Sequence, residues 1–172
     1  MRVSIIGFGE VGALLAEELR TRATLCAWDV LFADPASAPS IAARTLAVRA
    51  GVSAADAVDG ADVVISAVTA AQTCAAVTAA APGLKPSAFY FDLNSASPRA
   101  KIDAAQTAHS AGARYVEAAV MAPIAPKGAA TAILLGGPHA EAFAPTALAL
   151  GFTGARHYDV IPGRAEIGRA HV

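Results

Sequence analysis

The residues best suited to chemistry stand near the start of the chain, where Gly7-Phe8-Gly9-Glu10-Val11-Gly12 spells G-x-G-x-x-G. Alone the pattern says little, since a chain with 14 glycines can produce it by accident. Here it directly follows the β-branched run Val3-Ser4-Ile5-Ile6. It also opens a segment with apolar Val11, Leu14, Leu15 and Leu19, the spacing of an amphipathic helix. In that setting Gly7 permits a tight turn and Gly9 lets a pyrophosphate approach the backbone with no Cβ in the way. Gly12 lets the helix pack closely on the strand. Phe8, Glu10 and Val11 complete the loop, and the helix start offers N–H groups and a positive dipole end to phosphates.

The second half of this signal is Asp29, which closes the next strand 22 residues after Gly7. A carboxylate there can hydrogen-bond ribose hydroxyls and would meet a 2′-phosphate as a like charge, so NAD is favoured. Arg44 and Arg49 stand close in sequence and keep NADP open. The competing reading is a glycine turn that binds nothing, with Asp29 a solvated strand end. Val68-Thr69 ends a further apolar strand and Asn94 follows the next one. In a doubly wound sheet both reach the carboxyl edge, where Thr69 can line the ribose or nicotinamide and Asn94 can bond the same region. Ordinary loop capping competes for both. Trp28 and Phe32 flank Asp29 and belong to the adenine rim or the core.

These residues need elements to position them, and the chain supplies short apolar runs alternating with helical stretches. Strands are expected at 2–6, 24–29, 62–68 and 88–92, then at 115–120, 131–135 and 155–160. Helices are expected at about 10–19, 41–50, 53–58, 70–80, 98–111 and 141–150. Ser53 caps its short helix, with Asp56 in the first turn, and Pro98 opens the long one. Asp34-Pro35 and Pro39 mark 31–40 as loop. The expected fold is α/β, a Rossmann-type doubly wound and mostly parallel sheet with a small β-α-β extension.

At 172 residues the length suits one domain. A formal net charge of -1 with no basic stretch argues against nucleic acid or an anionic membrane as partner. No window reaches the ~18 apolar residues of a membrane span, and no signal peptide is recognisable. Cys26 and Cys74 lack a CxxC partner and read as small buried hydrophobes in a reducing compartment, so a cytoplasmic location is expected. His109, His139, His157 and His171 show no ligand spacing, and no metal site is expected. No G-x-S-x-G elbow or P-loop lysine occurs.

The glycine loop with Asp29 is the first of three segments, in order, that resemble the β-hydroxyacid dehydrogenase family, which includes 3-hydroxyisobutyrate and 6-phosphogluconate dehydrogenases. The second is Asp92-Leu93-Asn94-Ser95-Ala96-Ser97-Pro98, similar to the family's D-x-S/N-S/T-x-x-P segment. The third is Glu117-Ala118-Ala119-Val120-Met121-Ala122-Pro123, in the place of the family's D-A-P-V-S-G-G substrate loop. The resemblance covers residues 1–165, the family's cofactor-binding domain. It implies hydride transfer between nicotinamide and the hydroxyl-bearing carbon of a small, anionic hydroxy acid, with Ser95, Met121, Ala122 and Lys127 near the substrate. A solvated loop role competes for Lys127. Met121-Ala122-Pro123 departs from Ser-Gly-Gly, so this is a divergent branch whose substrate is open. The family also implies a homodimer and a general acid/base Lys on a helix that should begin near Gly163-Arg164-Ala165.

That helix is not recognisable in the sequence, and no residue of this chain is assigned as catalytic. The closing run Glu166-Ile167-Gly168-Arg169-Ala170-His171-Val172 back-translates as GAG ATC GGA AGA GCA CAC GTC, a common sequencing adapter whose next triplet is a stop. The expectation is that 166–172 is adapter-derived, that His171 has no function and that the family's helical C-terminal domain is absent. Such a fragment would bind NADH without turnover, as a monomer or prone to aggregate. The alternatives are a natural short protein acting as an NAD-binding regulatory module, or a Rossmann enzyme of prephenate dehydrogenase or pyrroline-5-carboxylate reductase type.

Overall fold

The computed structural model describes residues 1–169. In chain order the elements are β1 (Arg2–Ile6), α1 (Glu10–Leu19), β2 (Thr24–Trp28), α2 (Ala38–Thr45), β3 (Arg49–Ala50) and α3 (Ala54–Val58). They continue with β4 (Val63–Ser66), α4 (Thr73–Ala80), β5 (Phe89–Asp92), α5 (Pro98–Ser110) and β6 (Arg114–Val120). The last are β7 (Ile133–Gly136), α6 (Ala140–Leu150), β8 (Ala155–Asp159) and α7 (Arg164–Arg169). Among the described residues they build an eight-stranded sheet of order β3-β2-β1-β4-β5-β6-β7-β8. Only the β6–β7 pair is antiparallel, and β7-α6-β8 is the expected β-α-β extension.

Strand alternation divides the core in two. Val3, Ile5, Val63, Ile65 and Phe91 face α1, α2 and α6 through Leu15, Leu19, Ala43 and Phe143. Ile6, Val64, Tyr90 and Tyr115 face α3, α4 and α5, which present mostly alanines (Ala54, Ala57, Ala76, Ala80, Ala104 and Ala108) beside Val58 and Val77. The small side chains let these helices lie close on the sheet, the packing a both-faces-covered parallel sheet requires. The order reverses between β1 and β4, so their carboxyl ends diverge and leave a crevice at the switch point.

Three expectations about elements are corrected. The segment 31–40 is not all loop, because α2 begins at Ala38: the Ser37 hydroxyl accepts the Ser40 N–H, and Pro39 occupies the first turn, where its missing N–H costs nothing. The following helix does not run to Ala50. It ends by Leu46, Ala47 turns at φ 52°, and Arg49 and Ala50 pair with Cys26 and Ala27 as β3. Hydrogen bonds to the open edge of β2 outweigh the helix propensity of an alanine-rich run. The helix not recognised near Gly163-Arg164-Ala165 is present as α7, beginning at Arg164. Glu166, placed in the tail, belongs to it and is buried. Residues 170–172, with His171, lie outside the described residues.

The two cysteines also differ from expectation. Cys74 is exposed, not buried, and Cys26 is only half-buried. Just before β4, Asp62 accepts the Arg2 N–H at 2.9 Å and pairs with Lys85 at 2.7 Å.

Candidate dinucleotide site

Gly7 follows β1 with its N–H donated to the Trp28 carbonyl at 2.9 Å, which ties the loop to the end of β2. Its φ of 90° and the nearness of the Ala67 carbonyl leave no room for a side chain. Gly12 lies against the Gly7 carbonyl and Ile5, so α1 sits directly on β1. Gly9 differs from both. A Cβ built there meets nothing within 4 Å, and α1 starts from Gly9 with no side-chain cap on its first N–H groups. Open space in front of uncapped amides is what a pyrophosphate needs. Glu10 is exposed in that first turn, while the Phe8 ring is buried against Phe32, 6.0 Å between centroids.

Asp29 stands just past β2. It accepts the Phe8 N–H at 2.7 Å and the Leu31 N–H at 2.9 Å, one on each carboxylate oxygen. The carboxylate therefore holds the glycine loop against the strand end, and each oxygen keeps a lone pair for a ribose hydroxyl. The two arginines that kept NADP open are occupied. Arg44 donates to the Pro35 carbonyl at 2.8 Å, and Arg49 grips Asp56 with two bonds of 2.9 Å.

Two clefts open from this loop. One, of about 390 Å³, runs between Gly7, Gly9, Trp28, Asp29 and the alanine face of α4. The other, of about 660 Å³, lies between Val11, Leu93, Asn94, Ser95 and the 120–124 segment. They share Ala67, Val68 and Thr69, so they form the two arms of one elongated crevice along the sheet edge. The first suits an adenosine and the second a nicotinamide with a substrate beside it. Asn94 faces this second arm with its amide spent on the scaffold: its oxygen accepts the Val68 N–H at 2.7 Å, and its nitrogen donates to Ser66 at 3.0 Å. Ser95, Met121 and Ala122 line the crevice, whereas Lys127 is exposed beyond the loop and does not.

Behind this wall lies a group of charges that reading the sequence did not find. Lys101 of α5 is fully buried with its ammonium 3.2 Å from an Asp92 oxygen, 3.1 Å from the Asp92 carbonyl and 4.0 Å from Glu166. Asp92 also accepts the Tyr115 hydroxyl at 2.6 Å and the Asn94 N–H at 2.9 Å. Burial pushes the Tyr115 phenol well above its ordinary value, and the Asp92 charge beside it adds to the shift. Glu117, buried on β6, accepts the Gly163 N–H at 2.6 Å and the Glu166 N–H at 3.0 Å, so it caps the start of α7. Burial also raises the Glu117 carboxyl, against the N–H donors of α7 and the Lys101 charge. A signal existed: Lys101 shares the i, i+3, i+4, i+7 stripe with Ala104, Ala105 and Ala108, the face of α5 that is buried.

The sequence matches, over residues 2–161, the family described as the NAD binding domain of 6-phosphogluconate dehydrogenase. The chain belongs to this family. As an NAD-binding domain of that kind, it resembles a conserved hypothetical protein from Sinorhizobium meliloti 1021 at 35% identity and a TM-score of 0.90, covering 98% of this chain and 57% of that one. A second structure, the conserved protein MTH1747 of unknown function, described as similar to 3-hydroxyacid dehydrogenases, matches at 29% identity and a TM-score of 0.83, covering 98% and 62%. The Mycobacterium tuberculosis 3-hydroxyisobutyrate dehydrogenase, solved with L-serine, shares the fold at 20% identity and a TM-score of 0.83, covering 99% and 58%. The NAD-binding domain thus spans about 60% of these relatives' length. No curated protein sequence matches the chain. Among its described residues, no helix is long and apolar enough to cross a membrane, and no three His, Cys, Asp or Glu side chains gather where they could hold a metal ion.

Proposed function

We propose that this chain is the dinucleotide-holding part of an NAD-preferring oxidoreductase that moves a hydride between nicotinamide and the hydroxyl-bearing carbon of a small substrate. The open space at Gly9 before the uncapped start of α1 carries this reading. The cofactor supplies the redox chemistry when bound. The chain's own residues bind and orient it: α1 amides toward the pyrophosphate, Asp29 toward the adenosine ribose, Val68 and Thr69 along the nicotinamide arm. Cytoplasmic residence is part of the proposal, supported by the two free cysteines. Residues 1–165 act as one cofactor domain in it. The family's anionic substrate finds little support, because Lys127 stands away from the crevice.

Preference for NAD follows from Asp29 and from the engagement of Arg44 and Arg49 elsewhere. A 2′-phosphate would face a like charge at Asp29. NADH is expected to bind about tenfold or more tighter than NADPH, and Asp29→Asn should narrow that gap. Fluorescence titration of the purified chain with both dinucleotides reads this. Equal affinities would remove the specificity argument, and the lack of any saturable NADH signal up to millimolar concentration would sink the cofactor reading itself.

A further inference from the structure

The wall opposite the nicotinamide arm is made by 120–124, the segment standing where the family's loop carries Ser-Gly-Gly. Its side chains here are Val120, Met121, Ala122, Pro123 and Ile124, and none of the residues lining this arm is charged. Several backbone N–H groups that could hold an anion are already used within the fold. The Met121 N–H is donated to the Ala132 carbonyl at 2.9 Å, and Pro123 has none to offer. Across the crevice, the Leu93 N–H goes to the Ser66 carbonyl at 3.0 Å, the Asn94 N–H to Asp92 and the Val68 N–H to Asn94. Nearby cations are committed elsewhere: Lys101 is sealed behind Asp92, and Arg99 on α5 pairs with Asp103 at 3.1 Å.

We infer that the walls this chain supplies recognise an uncharged, apolar group of the substrate rather than a carboxylate. The inference rests on the oxidoreductase reading above and gives its substrate class. A carboxylate placed here would lose water and gain no cation. A methyl or larger alkyl group would gain contact with Met121, Pro123 and Leu93. The Thr69 side chain lines the same arm and is suited to a neutral oxygen at the reacting carbon. The chemistry thus points to a neutral alcohol or carbonyl with an alkyl substituent, a class distinct from the hydroxy acids the family resemblance implies.

The test compares 3-hydroxyisobutyrate with its methyl ester at neutral pH, two ligands nearly alike in shape and different in charge. Saturation-transfer NMR on the purified chain, with and without saturating NAD+, reads which one contacts the wall. The ester is expected to bind about fivefold or more tighter than the acid. Met121→Lys should erase or reverse that ratio by giving the carboxylate a partner. Equal or tighter binding of the acid to the unmutated chain overturns the inference, and so does saturation transfer to neither ligand. NAD+ binding, followed in parallel through Trp28 fluorescence, reports separately on the cofactor reading. Because the ligand comparison is also made without NAD+, it judges the wall even where NAD+ fails to bind.

Discussion

Gly9→Ala is expected to leave the fold intact and to weaken dinucleotide binding, while Gly12→Ala destabilises the fold. Both glycines belong to one motif, yet the structure gives them opposite surroundings. At Gly9, φ is -72° and ψ is -157°, an extended conformation open to alanine, and the new methyl would meet no atom within 4 Å. The cost to stability should stay below about 1 kcal/mol. That same methyl would stand where the pyrophosphate must approach the α1 amides. A loss of about 2–3 kcal/mol, roughly 30- to 150-fold in NADH affinity, is expected. At Gly12 the methyl would overlap the Gly7 carbonyl and press on Ile5, backbone and core that cannot retreat without lifting α1 from β1. Overpacking of this kind costs about 1–3 kcal/mol or more. Urea unfolding and NADH titration of both variants separate the effects. Unchanged NADH affinity in Gly9→Ala would show that the phosphates do not lie over this loop.

The contrast bears on what could be read without coordinates. The glycine loop, Asp29 and the alternation of strands were legible because each is a local signal: a turn, a charge at a strand end, a two-residue or 3.6-residue period. Elements that depend on a distant partner were not. β3 exists because β2 has an edge to pair, and nothing within 41–50 announces that. α7 is held at its start by Glu117, 49 residues away from Glu166 in the chain, so its cap is invisible in its own neighbourhood. Asn94 was recognised as a crevice residue, but its use as a brace for Val68 and Ser66 required the fold. Lys127 is the opposite case. Proximity in sequence to the substrate loop placed it at the site, but Lys127 is exposed at the start of the Gly128–Ala130 turn and does not line the crevice.

The buried charges behind the crevice should dominate the stability of this domain. Lys101→Met is expected to cost about 3–5 kcal/mol, because it leaves the buried Asp92 carboxyl without its counter-charge. Methionine fills much of the same volume, so the loss comes from the unpaired carboxylate and not from a cavity. The double variant Lys101→Met, Asp92→Asn should therefore recover most of the deficit, a coupling that simple loss of packing cannot produce. Tyr115→Phe is the milder probe. It removes only the hydroxyl that donates to Asp92 at 2.6 Å and should cost about 1–3 kcal/mol, small enough to leave a measurable transition if the lysine variant fails to fold. Urea midpoints decide the matter. A Lys101→Met protein within about 1 kcal/mol of the unmutated chain would mean that Asp92 is carried by Tyr115 and Asn94 alone. The larger loss would make the pair the anchor of the crevice wall, since Asp92 fixes Asn94 and Asn94 in turn fixes Val68, the residue on which both arms of the dinucleotide crevice meet.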